Sequence, residues 1–150
     1  MYRPAAKNMA ETFQLEIVTP DRLLVSEAVA EAQIPGSNGY LGILPGHAPL
    51  ITELSVGEIT YKSGGKSERI AVAWGFAEVL PDKVTVIADR AERASEIDVQ
   101  RARESKKRAE ERLRESATET DYERAALALQ RAENRLNTAN LNGDVANLVP

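Results

Sequence analysis

The chain has no cysteine, which removes disulfides and thiolate metal sites at once and is compatible with a reducing compartment. It has a single histidine, His47, too few for a histidine metal cluster or a Ser/His/Asp set with one to spare. The same scarcity argues against a β-sandwich enzyme of cupin type, which needs several His and Glu ligands. No apolar run approaches the roughly 18–20 residues needed to cross a bilayer. The phosphate loop G-x-x-x-x-G-K-[ST] is missing; Gly64-Gly65-Lys66-Ser67 echoes only its end, inside an expected hairpin. A formal charge of -4 and a pI of about 5.2 argue against a generic nucleic-acid binder. From Ser95 to Asn140 there is neither glycine nor proline.

That last absence marks a change of character near residue 90. Before it, short β-branched and aromatic runs alternate with turn residues. Phe13-Gln14-Leu15-Glu16-Ile17-Val18 has the period of a half-buried strand, and Thr19-Pro20-Asp21 turns the chain. Further strands are expected at Val29 to Ile34, Ile51 to Leu54, Glu58 to Lys62, Arg69 to Ala73, Phe76 to Leu80 and Val84 to Ile87, with Ser63-Gly64-Gly65 as a hairpin turn. Such spacing, with no helix-period segment between, points to an antiparallel sandwich or barrel. Trp74, in a strand-like run, reads as core or sheet surface.

After the break the chain reads as two helices. Ser95-Glu96-Ile97-Asp98 has the form of a capping box, so the first helix is expected from about Glu96. Thr120-Asp121-Tyr122-Glu123 is a full capping box and starts the second, and the short polar Ser116 to Thr120 joins them as an antiparallel hairpin. Tyr122, Ala125, Leu129, Ala132, Leu136 and Ala139 form an a/d seam on the second helix. Ala102, Lys106, Ala109, Leu113 and Ser116 face it as a poorer one. Each alanine in place of leucine forgoes about three carbons at roughly 0.8 kcal/mol each, so the hairpin is weakly held. High helix propensity would keep each helix intact when undocked.

The expected segments are a disordered lead-in over 1–10, which has no apolar h-region, a β domain over 11–89, a hinge and hairpin over 90–140, and a flexible tail over 141–150. Within this acidic protein the first helix is locally basic, through Arg101, Arg103, Lys106, Lys107, Arg108, Arg112 and Arg114. Two readings stand for it: a solvated face laced with i,i+4 pairs, or a surface for an acidic partner or a nucleotide.

The densest motif is Gly39-Tyr40-Leu41-Gly42-Ile43-Leu44-Pro45-Gly46-His47-Ala48-Pro49-Leu50, with three glycines and two prolines in twelve residues. Its physical minimum is a tight β corner, in which His47 is a structural turn residue rather than a proton-transfer group. The string closely resembles the signature of the epsilon subunit of bacterial F-type ATP synthases. Phe13–Val18 before it, and Trp74-Gly75-Phe76 and Val84-Thr85-Val86-Ile87-Ala88-Asp89 after it, resemble that family too, so the likeness runs from Phe13 to about Asn140.

The resemblance implies a β-sandwich of about ten strands followed by two helices. It implies a non-catalytic central-stalk subunit, peripheral on the cytoplasmic side of the bacterial inner membrane through a proton- or sodium-translocating ring. The sandwich would bind the gamma subunit and the c-ring, with Tyr40, Leu41, Gly42, Pro45 and His47 at the ring-facing end. Some members have an acid where this chain has Tyr40. The hairpin would inhibit ATP hydrolysis by extending into the alpha/beta ring, where the basic stretch meets an acidic segment of beta.

Ile97-Asp98-Val99-Gln100-Arg101-Ala102 matches the I/L-D-x-x-R-A pattern that this family associates with ATP binding. By resemblance Glu92 and Asp98 serve the adenine or ribose side, with Ile97 and Ala102 beside them. Arg101, Arg131 and Arg135 serve the phosphates through charge-assisted hydrogen bonds. ATP is then a regulatory ligand, and no ligand set for Mg2+ is visible. Helix capping alone, at about 1 kcal/mol, would also account for Asp98. The rival function is a free-standing nucleotide sensor with the same two parts.

Overall fold

The computed structural model describes residues 11–143, and the side chains to residue 140. The expected lead-in over 1–10 and the 144–150 part of the expected tail lie outside the described residues. The chain divides into two compact units, one ending at Ala91 and the other beginning at Glu92.

Among the described residues the first unit has eight strands, against about ten expected for a sandwich of this kind. They are β1 (Phe13–Val18), β2 (Leu23–Val29), β3 (Glu31–Gly36), β4 (Gly39–Ile43), β5 (Leu50–Leu54), β6 (Gly57–Ser63), β7 (Lys66–Val79) and β8 (Lys83–Arg93). The order is β2-β1-β8-β7-β5-β3-β4, with β6 bridging β3 and β7. One pairing departs from the antiparallel expectation: β1 runs parallel to β8, with Leu15 beside Val84 and Ile17 beside Val86. No tight turn joins these two strands, so nothing local sets their relative direction.

Arg69 to Ala73 and Phe76 to Leu80, expected as separate strands, belong to the single 14-residue β7. What looked like punctuation is a corner. Before Trp74, β7 pairs with β6, from Ser63↔Lys66 to Gly57↔Val72. After it, β7 pairs with β5, from Leu54↔Gly75 to Leu50↔Val79. The corner is made by left-handed backbone at Trp74 (φ 56) and at Gly75 (φ 119). Trp74 is the one non-glycine residue with positive φ among those described.

Alternate residues of both halves of the sheet meet in one core. Leu15 and Ile17 of β1, Ile34 of β3, Ile59 of β6, Ile70 and Val79 of β7, and Val84 and Val86 of β8 are fully buried in the same cluster. At roughly 1.5–3 kcal/mol for each such side chain, this burial is what the unit's stability rests on.

The second unit starts with the last two residues of β8. A 3-10 turn follows at Ala94–Glu96, then helix α1 (Val99–Glu115), and helix α2 (Glu119–Gly143), which takes in 141–143 of the expected tail. Both helix starts differ from expectation. Asp98 itself is the cap of α1, its Oδ1 accepting from the Arg101 N–H at 3.0 Å. Glu96 belongs instead to the 3-10 turn. Thr118, not Thr120, caps α2, accepting from the Asp121 N–H at 3.1 Å. Thr118-Glu119-Thr120-Asp121 offers the same hydroxyl-to-N3 geometry two residues earlier, and the earlier cap lengthens the helix.

Ala102 and Ala109 on α1, and Ala125 and Ala132 on α2, are buried, each pair two turns apart. Leu113, Leu129, Leu136 and Ala139 are half-buried. Tyr122, expected in the seam, is exposed. An interface built on alanines has no depth for its ring, and its hydroxyl stays in water.

Candidate functional site

The candidate residues fall into two sets, one in each unit. In the first, Leu44-Pro45-Gly46-His47 closes a turn in which the His47 N–H donates to the Leu44 carbonyl at 3.2 Å. Gly46 has φ 85, which the third position of a type II turn requires, with Pro45 ahead of it. The Gly46 N–H donates to the Pro81 carbonyl at 2.8 Å, fastening this turn to the β7–β8 connection. His47 Nδ1 lies 2.7 Å from the carbonyl of the adjacent Ala48, so its ring serves its own turn.

Tyr40 and Leu41 occupy successive positions of β4 and therefore face opposite ways. Leu41 packs against the core cluster. Tyr40 is exposed, and its hydroxyl accepts from the Glu58 N–H at 3.1 Å. Gly57 leaves room for that bond: a Cβ there would stand 2.7 Å from the Tyr40 hydroxyl and from Pro35 Cβ. Gly42 looks into open space and lines a shallow cavity of about 420 Å³ with Gln33, Leu44, Thr60 and Lys62. The structure thus offers Tyr40, Gly42 and the Pro45–His47 turn on the outside, and turns Leu41 inward.

In the second unit Ile97 and Ala102 are buried, while Asp98 and Arg101 are exposed at the start of α1. Glu92 and Arg135, 43 residues apart, meet directly. Arg135 Nη2 donates to Glu92 Oε2 at 3.1 Å, and Nε stands 2.9 Å from Oε1. Both side chains are partly covered. Arg131 lines a different place, a groove of about 620 Å³ at the turn end of the hairpin shared with Arg112, Glu115, Asp121 and Arg124. Arg101 and Arg135 do not line it. Of the three arginines, Arg135 is thus occupied by a carboxylate, while Arg131, one turn before it on α2, lines the groove.

Of the basic stretch, Arg101, Arg103, Lys107, Arg108, Arg112 and Arg114 are exposed, and only Lys106 is half-buried, 3.9 Å from Glu110. No three acidic, histidine or cysteine side chains gather into a metal site among the described residues. One feature gave no signal in the sequence. Thr138 is fully buried on α2 and its hydroxyl has no hydrogen-bond partner.

The family model for the ATP synthase delta/epsilon chain β-sandwich domain matches residues 12–94. The model for the long α-helix domain of the same chain matches residues 95–140. This chain belongs to the ATP synthase delta/epsilon chain family. It is 67% identical over 108 residues to the ATP synthase epsilon chain of Koribacter versatilis, covering 72% of this chain and 76% of that one. It is 53% identical over 102 residues to the epsilon chain of Solibacter usitatus, covering 68% and 76%. Among solved structures, a chain of the Euglena gracilis mitochondrial ATP synthase, in its OSCP/F1/c-ring assembly, aligns with a TM-score of 0.76 at 25% identity. That alignment covers 89% of this chain and 84% of the other. A chain of the Tetrahymena thermophila mitochondrial ATP synthase central stalk and c-ring shares the fold, with a TM-score of 0.62. The function is that of the epsilon subunit of an F-type ATP synthase, a member of its central stalk. The free-standing sensor gives way to this reading. No helix among the described residues is long and apolar enough to cross a membrane.

Proposed function

We propose that the first unit joins the gamma subunit to the c-ring and that the hairpin restrains ATP hydrolysis. The chain itself carries out no catalysis. It sits on the cytoplasmic side of the bacterial inner membrane through the ring, with Tyr40, Gly42 and the Pro45–His47 turn on the ring side. The observation that carries the regulatory half is the hairpin's construction. Its buried side chains are four alanines and Thr138, while six of the seven basic side chains on α1 stand in solvent. Strong helices with small contacts make an element that can leave its resting place, and exposed cations suit an acidic segment of beta.

ATP would bias the position of the hairpin through Glu92, Ile97, Asp98, Arg101, Ala102, Arg131 and Arg135. A ligand shifts such an equilibrium only by its differential affinity; moving it from 1:99 to 99:1 takes about 10⁴-fold, or roughly 5.5 kcal/mol.

Deleting Ser95 to Pro150 in the assembled complex tests the inhibitory role. Assembly and synthesis are expected to survive and the hydrolysis rate to rise several-fold; an unchanged rate would sink the proposal. For the nucleotide, titrating the isolated chain with ATP should show weaker binding by Arg131→Ala than by the parent. Equal binding would remove Arg131 from the site.

A further inference from the structure

Asn38 is the one asparagine between residues 11 and 133, and it stands directly before Gly39. The pair forms the tip of the β3–β4 hairpin, where Ser37 and Asn38 are the whole loop and Gly36↔Gly39 is the last rung. Both loop residues are exposed, and the Asn38 carboxamide has no hydrogen-bond partner among the described residues. Gly39 is as open, since a Cβ there would meet nothing within 4 Å.

Two-residue hairpin loops usually take turns with positive φ at one or both loop residues, because those turns follow the twist of the strands. Neither Ser37 nor Asn38 has one; the positive φ falls on Gly39, at 128. The tip therefore lacks the closure that would best hold its last rung, and such ends open at little cost. Upstream the chain is tied, because the Ser37 N–H donates to the Glu53 carbonyl at 2.9 Å. Opening thus falls on Asn38 and Gly39. It leaves a free carboxamide beside the amide nitrogen of a residue with no side chain to shield it.

We propose that Asn38 is a site of spontaneous covalent modification, ageing to isoaspartate through a succinimide. The Gly39 nitrogen attacks Asn38 Cγ. The new N–C bond forms as the C–NH2 bond breaks, and the proton of the Gly39 N–H leaves with ammonia. Water then opens the ring. Addition at Cγ gives aspartate, whereas addition at the main-chain carbonyl leaves the chain running through Cβ and Cγ, as isoaspartate. One water is consumed and one ammonia released, with no change of oxidation state. Either product adds a negative charge to a chain of net charge -4. Isoaspartate also lengthens the main chain within a two-residue loop, so the rungs beyond it lose register. The bond from the Glu58 N–H to the Tyr40 hydroxyl is lost with them.

The test holds the full chain and its Asn38→Gln variant in warm, mildly alkaline buffer, with a second parent sample in urea as the unfolded reference. Peptide mapping by mass spectrometry follows each asparagine and separates Asn38 from Asn142-Gly143, the other such pair, at the end of α2. A carboxyl methyltransferase specific for isoaspartate then marks the product in the separated peptides. The folded parent's Asn38 peptide is expected to convert within about 30-fold of the unfolded rate, the ratio for an opening cost of about 2 kcal/mol. It should take up methyl groups, while the same peptide from Asn38→Gln, which would have to close a larger ring, should take up none. Asn134 and Asn137, inside α2 and followed by Arg135 and Thr138, should stay unchanged over the same period. Conversion slower than that limit overturns the proposal, since the hairpin would then hold the carboxamide and the amide apart. Conversion to aspartate alone, without isoaspartate, overturns the succinimide route, because direct hydrolysis of the carboxamide gives only aspartate.

Discussion

Gly75→Ala is expected to destabilise the β unit more than any other glycine-to-alanine change in it. A Cβ at this position would stand 2.0 Å from the Ile87 carbonyl oxygen and 2.9 Å from Ala88 Cα, both backbone atoms of a neighbouring strand. Neither can swing aside as a side-chain tip would. The residue also sits at φ 119, a conformation closed to L side chains without strain. β8 would have to be pushed away from β7 at the point where Ala88 is buried in the core. Costs above about 4 kcal/mol come from this kind of combined clash and strain, against a typical domain stability of about 5–15 kcal/mol. At roughly 4–8 °C per kcal/mol, the melting temperature should fall by about 20 °C or more. Gly42→Ala is the control, since a Cβ there meets nothing within 4 Å. It should change stability by less than about 0.5 kcal/mol. A Gly75→Ala melt close to that of Gly42→Ala would mean that the corner is not rigid.

The second large effect belongs to the ion pair. Arg135→Glu sets two carboxylates against each other where Glu92 and Arg135 now meet over 2.9 and 3.1 Å. Both side chains are partly exposed, so water screens the repulsion, and the stability loss should be about 1–2 kcal/mol rather than the larger value of a sealed pair. Under the proposed nucleotide role, ATP affinity should fall much further, by about 100-fold, because a residue proposed to hold phosphate would carry a like charge. The exchange Glu92→Arg with Arg135→Glu separates the two roles. It returns opposite charges to the same place, so the melting temperature should recover while ATP binding does not. A doubly exchanged chain that melts as low as Arg135→Glu would show that the pair contributes nothing to holding β8's end against α2.

What the sequence made legible was whatever is written in short repeats. β1 falls at Phe13–Val18 as its alternation requires, and the two helices follow from the stretch without glycine or proline. β2 was missed because only Ala30 separates it from β3, and no glycine, proline or asparagine marks the change. Trp74-Gly75 carries the opposite ambiguity. A glycine that looks like the end of a strand is instead where one strand changes partners. The parallel pairing of β1 with β8 has no local signal at all. At the nucleotide motif, residue types alone did not show that Glu92 already holds Arg135 or that Arg131 lines another groove. Charges that suit a phosphate also suit each other, and only the backbone path decides which pairs form. Thr138 was silent for a simpler reason: a lone threonine in a helix differs from its neighbours only through what surrounds it.

The corner in β7 has one more consequence, a mechanical one. Its first half is hydrogen-bonded to β6 and its second to β5, so one continuous backbone runs through both halves of the sheet. Sliding one half over the other cannot proceed by peeling hydrogen bonds in succession; it must stretch the peptide chain at Trp74 and Gly75. Under the proposed placement between gamma and the ring, twist applied at one side of this unit would pass across through covalent bonds as well as hydrogen bonds.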